Sequence, residues 1–145
     1  MKQEGHTLME LMMVLAITGI ISALAVPNVL TLNSGVQIHS ATVEVASELR
    51  LARQLAITHR DRVRIIFDLE QQALVSQFVN GSEATLHHVY RYADKGVAID
   101  EPSAGLEILF HPSGRSATAT TIHLHNKEGQ TQTVTVGITG RVSIL

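Results

Sequence analysis

The hydrophobic and polar positions of this chain follow two different rules in its two halves. From Thr7 to Val26 there are twenty residues, TLMELMMVLAITGIISALAV, whose only charge is Glu10. A helix of that length covers about 30 Å, the thickness of a bilayer core. Pro27 closes the run. From Val36 to about His59 the period is that of an amphipathic helix: Ile38, Val45, Leu49, Ala52 and Ala56 fall at spacings of seven, four, three and four, on one stripe. Ser34-Gly35 between the segments is a break or bend signal. The two helices are therefore expected to form one long spine, bent near Pro27 or Gly35.

Beyond His59 the period falls to two. Val63, Ile65, Phe67 and Leu69 alternate with Arg62, Arg64, Ile66 and Asp68, the pattern of a half-buried strand. Leu74 to Val79 is a second strand, closed by the hairpin signal Asn80-Gly81. Thr85 to Tyr92, Leu106 to Phe110, Thr120 to His125 and Thr131 to Ile138 read as further strands, with turns at Pro112-Ser113-Gly114 and Lys127-Glu128-Gly129. The short apolar segment Arg141 to Leu145 suits a sheet edge. The fold class this predicts is α+β, a long N-terminal helix packed on an antiparallel β-rich head.

Composition sets limits on function. The chain has 145 residues, one ordinary domain, with 45% hydrophobic and 17% charged residues. Eleven Lys+Arg against 13 Asp+Glu give a net charge of −2, which argues against nucleic acid binding driven by bulk charge. There is no cysteine, so disulfides, thiolate metal sites and cysteine nucleophiles are excluded.

Glu10 decides between two readings of the apolar run. Ala23-Leu24-Ala25 resembles a signal-peptidase site, and a cleaved secretory signal would explain Lys2 and the apolar stretch. A disposable signal gains nothing from an acid inside the run, where it costs a few kcal/mol. A retained helix can use it to meet a positive partner, such as a neighbouring subunit's α-amino group. Gly19 and Ala23, four apart, would let another helix approach closely.

These residues carry a resemblance. Gly5-His6-Thr7-Leu8-Met9-Glu10-Leu11 resembles the class III signal of type IV pilins and type II secretion pseudopilins, with His6 where the family usually has phenylalanine. The resemblance implies cleavage by a prepilin peptidase between Gly5 and His6, N-methylation at His6, and a role for Glu10 in assembly. The second half narrows it. Glu48-Leu49-Arg50-Leu51-Ala52-Arg53-Gln54-Leu55-Ala56-Ile57, Phe110-His111-Pro112-Ser113-Gly114-Arg115 and Thr139-Gly140-Arg141-Val142 are similar to three elements of the GspH/FimT family of minor pseudopilins. That family implies a leader over residues 1–5, a transmembrane and assembly helix over 6–35, and a periplasmic head over 36–145. It also implies an inner-membrane location with one membrane pass, and other pseudopilins of the same filament as partners.

The remaining constellations are weaker. His123 and His125 share one face of a strand and could present two imidazoles to a metal, with only His111 as an obvious third ligand. The same alternation describes an ordinary solvent face, so no metal and no cofactor is expected. Arg50, Arg53, Arg60, Arg62 and Arg64 lie within fifteen residues and could meet DNA phosphates, but Glu44, Glu48, Asp61 and Asp68 lie nearby to offset the charge. Arg50, Arg53 and Arg141 are the candidate DNA-binding residues if nucleic acid is a partner. No nucleophile or phosphate-binding motif occurs, and Asp100-Glu101 before Pro102 reads as a turn, so the chain is not expected to be an enzyme. The expected function is a structural subunit of the type II secretion pseudopilus. The alternatives are a FimT-like minor pilin of type IV pili, a DNA receptor at a pilus tip, and a secreted metalloprotein.

Overall fold

Among the described residues there are eight strands and one long helix, with a single turn of 3-10 helix between strands. The computed structural model describes residues 7–80 and 83–145, the side chains of 24–33, 80, 83 and 84 excepted. Helix α1 runs from Leu8 to His59. The chain divides into two units, 1–34 and 35–145.

From Leu8 to Ala23, α1 carries apolar side chains on every side, with Glu10 its one charge. Leu8, Met9, Leu11, Met12, Met13, Val14, Leu15, Ile17, Ile20 and Ile21 are consecutive or nearly so, and each is about half exposed or more. A helix with no polar face is stable only when something apolar surrounds it. Thr18 returns its hydroxyl to the Val14 carbonyl at 2.7 Å, so this polar side chain carries its own partner. Among the described residues no helix is long and apolar enough to cross a membrane. The described side chains of the first run stop at Ala23, short of the twenty residues counted in the sequence.

The expected break at Ser34-Gly35 is absent: the helix is continuous through Pro27 and Gly35. One glycine costs a helix only about 1 kcal/mol, and the turns that follow recover more by burial. Ile38, Ala41, Val45, Leu49, Ala52 and Ala56 are all at most 2% exposed, so the stripe read from the sequence is the face that packs.

The second unit holds two four-stranded antiparallel sheets, the antiparallel β-rich head that was expected. The first has the order β3-β2-β1-β5 and the second β4-β6-β7-β8. Strands β1 (Val63–Asp68), β2 (Ala73–Asn80), β3 (Glu83–Arg91) and β5 (Glu107–Phe110) coincide with predicted runs. So do β6 (Thr120–Asn126), β7 (Thr131–Val136) and β8 (Val142–Ile144), the last at a sheet edge as expected. Strand β4 (Val97–Ile99) was not predicted, because three residues are too few to show a period. The pairing of β2 with β3 fits the hairpin expected at Asn80-Gly81, although Gly81 lies outside the described residues.

One core joins helix and sheets. Val45 and Leu49 of α1 share it with Ile65 and Phe67 of β1, Ile108 of β5, Ile122 of β6 and Val134 of β7. Tyr92 is its largest fully buried side chain, and burial pushes its phenol up to about 12.

Candidate functional site

Three places in the structure take up the motif residues. The first is the start of α1. Thr7 stands just before the helix and accepts from the Glu10 N–H with its hydroxyl, at 3.3 Å. Its carbonyl accepts from the N–H groups of Glu10 and Leu11 at 3.1 and 3.2 Å. Thr7 is thus the N-cap. Thr7-x-x-Glu10 has the spacing of a capping box and puts an acid in the first turn, where the helix dipole favours it. The sequence reading singled out Glu10 for assembly and missed this second role, although the T-x-x-E spacing was the signal for it. The Glu10 carboxylate is exposed and makes no hydrogen bond or ion pair among the described residues. Gly5 and His6, the expected cleavage pair, lie outside the described residues.

The second place gathers the three later motifs. Arg53 donates Nε to the Gly114 carbonyl at 2.8 Å, and Arg50 donates to the Val142 carbonyl at 3.2 Å. Gly114 has φ +76° at the end of the turn whose N–H meets the His111 carbonyl at 2.8 Å. A Cβ there would lie 2.8 Å from Ile57 Cδ1. Gly140 has φ +75°, and a Cβ on it would collide with the Gly114 carbonyl oxygen and stand 2.7 Å from Arg53 Nε. Segments distant in sequence, one helical and two in turns, therefore meet where no side chain fits at either glycine. Charge-assisted bonds from a guanidinium to part-buried carbonyls are worth roughly 1.5–3 kcal/mol each. This junction ties helix to turns, and it engages one N–H of each of two of the three arginines considered for phosphate binding. Arg64 faces Glu107 at 3.6 Å on the outer side of β1, so the arginines counted as one basic run meet different partners.

The third place is a polar seam between α1 and β3, which the sequence reading missed. Glu44 accepts from the Tyr90 hydroxyl at 2.6 Å and from Lys95 Nζ at 3.1 Å, with Ser40 Oγ at 3.4 Å. The Tyr90 hydroxyl, then Lys95, hold the Glu44 carboxyl below the usual carboxylate range. Burial and the bond to Glu44 push the Tyr90 phenol up. One helical turn further, Glu48 meets His88 Nε2 at 3.8 Å. No local signal links Glu44 to Tyr90, 46 positions apart.

The histidines do not converge. His123 Nδ1 lies 3.1 Å from the Thr133 hydroxyl, and His125 Nδ1 lies 3.4 Å from Asp100. A register shift in β2–β3 separates His87, stacked edge-on against Phe78, from His88. Among the described residues no group of three or more His, Cys, Asp or Glu is placed to hold a metal ion.

The sequence profile described as prokaryotic N-terminal methylation motif matches residues 1–26. A search of curated proteins finds no significant match. Among solved structures, the chain is similar to the type IV minor pilin FimU of Pseudomonas aeruginosa, with a TM-score of 0.64 at 16% identity, covering 74% of this chain and 87% of that one. It is similar to the same degree to the minor pseudopilin EpsH from the Type 2 Secretion System of Vibrio cholerae, with a TM-score of 0.64 at 15% identity, covering 75% and 96%. At such identities the likeness speaks for the fold, which is pilin-like. The profile of Type II transport protein GspH matches residues 41–140, more than half of the chain and including Arg53, Gly114 and Gly140 of the junction, so the chain belongs to the GspH family.

Proposed function

We propose that this protein is a minor pseudopilin, a structural subunit of the type II secretion pseudopilus that acts in assembly at the filament tip. Residues 1–5 are its leader, removed by prepilin peptidase between Gly5 and His6, with methylation of the new N-terminus at His6. Residues 6–35 form the transmembrane and assembly helix, held in the inner membrane and then among the helices of neighbouring pseudopilins. Residues 36–145 are the periplasmic head. The chain carries out no catalysis and needs no cofactor.

One observation carries the reading: the start of α1 is apolar all round and exposed, with one acid, Glu10, that has no partner among the described residues. Such a surface suits a lipid or an apolar helix bundle. A lone carboxylate there is costly until it meets an amine, and the α-amino group of an adjacent subunit supplies one. The test is Glu10→Gln and Glu10→Ala in cells making the filament. Both variants should insert in the membrane with a folded head but be absent from sheared filaments. Normal incorporation would contradict the pairing.

A second reading, a FimT-like minor pilin of type IV pili, draws support from the equal likeness to FimU. DNA binding by Arg50 and Arg53 would use guanidiniums that each already give one of their five N–H groups to a main-chain carbonyl.

A further inference from the structure

Arg141 is the candidate arginine left over. It lies outside the junction that holds Arg50 and Arg53, and its guanidinium has no hydrogen bond or ion pair among the described residues. Val142 and Ile144 of β8 pack on the core, so Ser143 points to the opposite, outer face of the second sheet, and Arg141, just before the strand, lines the same groove as Ser143. On that face, register puts Thr121 of β6 beside Thr135 of β7, and Thr135 beside Ser143 of β8. Three hydroxyls thus form a row across three strands, at roughly 5 Å spacing. With Thr139 and Arg141 they line an open groove of about 380 Å³. The side chains of Thr121, Thr139 and Ser143 make no hydrogen bonds among the described residues, and Thr135 reaches the Ser143 carbonyl only at 3.5 Å.

We propose that this groove binds a polypeptide segment carrying one acidic side chain, with Arg141 holding the carboxylate and the hydroxyl row meeting the neighbouring polar groups. A free guanidinium beside unpartnered hydroxyls offers donors in excess of acceptors, which suits a carboxylate. Charge complementarity limits the ligand to an isolated acid. The loop before Ser103 runs along β6, where the Asp100 N–H meets the His123 carbonyl at 3.0 Å and the Ser103 N–H meets the Thr121 carbonyl at 3.0 Å. That loop brings Asp100, paired with His125 at 3.4 Å, alongside β6, and the net charge of −2 on the chain as a whole disfavours a polyanion. The proposal rests on the filament reading in one respect only, the source of the segment, which is a neighbouring subunit.

The test uses the full chain in lipid nanodiscs, with ¹⁵N-labelled arginine and threonine. The probes are the capped peptide Val-Thr-Glu-Thr-Val, its glutamine counterpart, and a single-stranded thymidine oligonucleotide. The glutamate peptide should move the Arg141 side-chain signal and the amides of Thr121 and Thr135, and bind at least about tenfold more tightly than the glutamine peptide. Arg141→Gln should remove that preference, Arg141→Lys should restore part of it, and Arg91→Gln on the other sheet should leave it intact. Equal binding of the two peptides, shifts centred elsewhere, or preference for the oligonucleotide would each overturn the assignment. Filament incorporation of Arg141→Gln is measured in parallel. If the wild-type chain enters filaments but the peptide does not bind, the groove assignment falls and the filament reading stands. If the peptide binds but the wild-type chain never enters filaments, the groove is supported and the filament reading fails.

Discussion

Phe67, Ile108 and Ile122 in the second unit are shielded from water almost completely, whereas Met9, Met13 and Leu15 in the first expose more than 60% of their surface. Both regions are rich in apolar residues, and the difference lies in where the polar residues fall. In 36–145 they alternate with apolar ones at the period of a strand or one helix face, so the apolar face can be buried within the chain. In 7–23 they hardly occur, so no folding of that segment on itself can cover it. The first region therefore needs surroundings and the second makes its own. An assembly subunit needs both.

The largest effect on the self-contained region is expected at Gly140. Replacing it with alanine forces a side chain into the Gly114 carbonyl and Arg53, at a left-handed φ of +75°. We expect a loss of roughly 2–5 kcal/mol in urea unfolding of the head signals. Gly129→Ala is the sharpening control: its φ is +80°, but nothing lies within 4 Å of the added carbon. It should cost only about 1 kcal/mol. Equal losses would show that the junction imposes backbone conformation alone, with no close approach.

Arg53→Ala comes next. It removes the donor to a part-buried carbonyl, and we expect a loss of about 1.5–3 kcal/mol. Glu10→Gln, by contrast, should leave head unfolding unchanged. A coupled loss would blur the division between the regions.

The smallest loss expected within the head is at Glu44. Its carboxyl is held below its ordinary value in the folded state, so its contribution is present above the unfolded pKa near 4.5 and fades as pH falls through the lower folded value. Because Glu44 and Lys95 are 35% and 43% exposed, solvent screens the seam. Glu44→Gln should cost under about 1 kcal/mol at neutral pH, and the gap to the wild-type chain should close as pH drops below about 4. A gap that widened on acidification would reverse the sign of this account.

How much was legible in the sequence follows the same division. The helix stripe and seven of the eight strands were legible because burial repeats at short period; Val97–Ile99 was too short to show one. The division of strands into two sheets was not legible, since it depends on pairings such as β1 with β5 across some forty residues. Of the candidate residues, Glu10 stood out as one charge among apolar neighbours. The environments of Arg50 and Arg53 did not: charge density suggested a solvent-facing patch, and only folding brings the Gly114 and Val142 carbonyls to them. The break expected at Ser34-Gly35 overweighted one glycine against the packing that follows it.

The central claim is that the apolar first region is kept and surrounded by lipid and neighbouring subunits. Intact-mass analysis of the chain extracted from inner membranes tests it most directly. The account predicts a mature chain beginning at His6, with or without one methyl group, that retains the whole apolar helix. A mature chain beginning at Val26, released from the membrane, would contradict it.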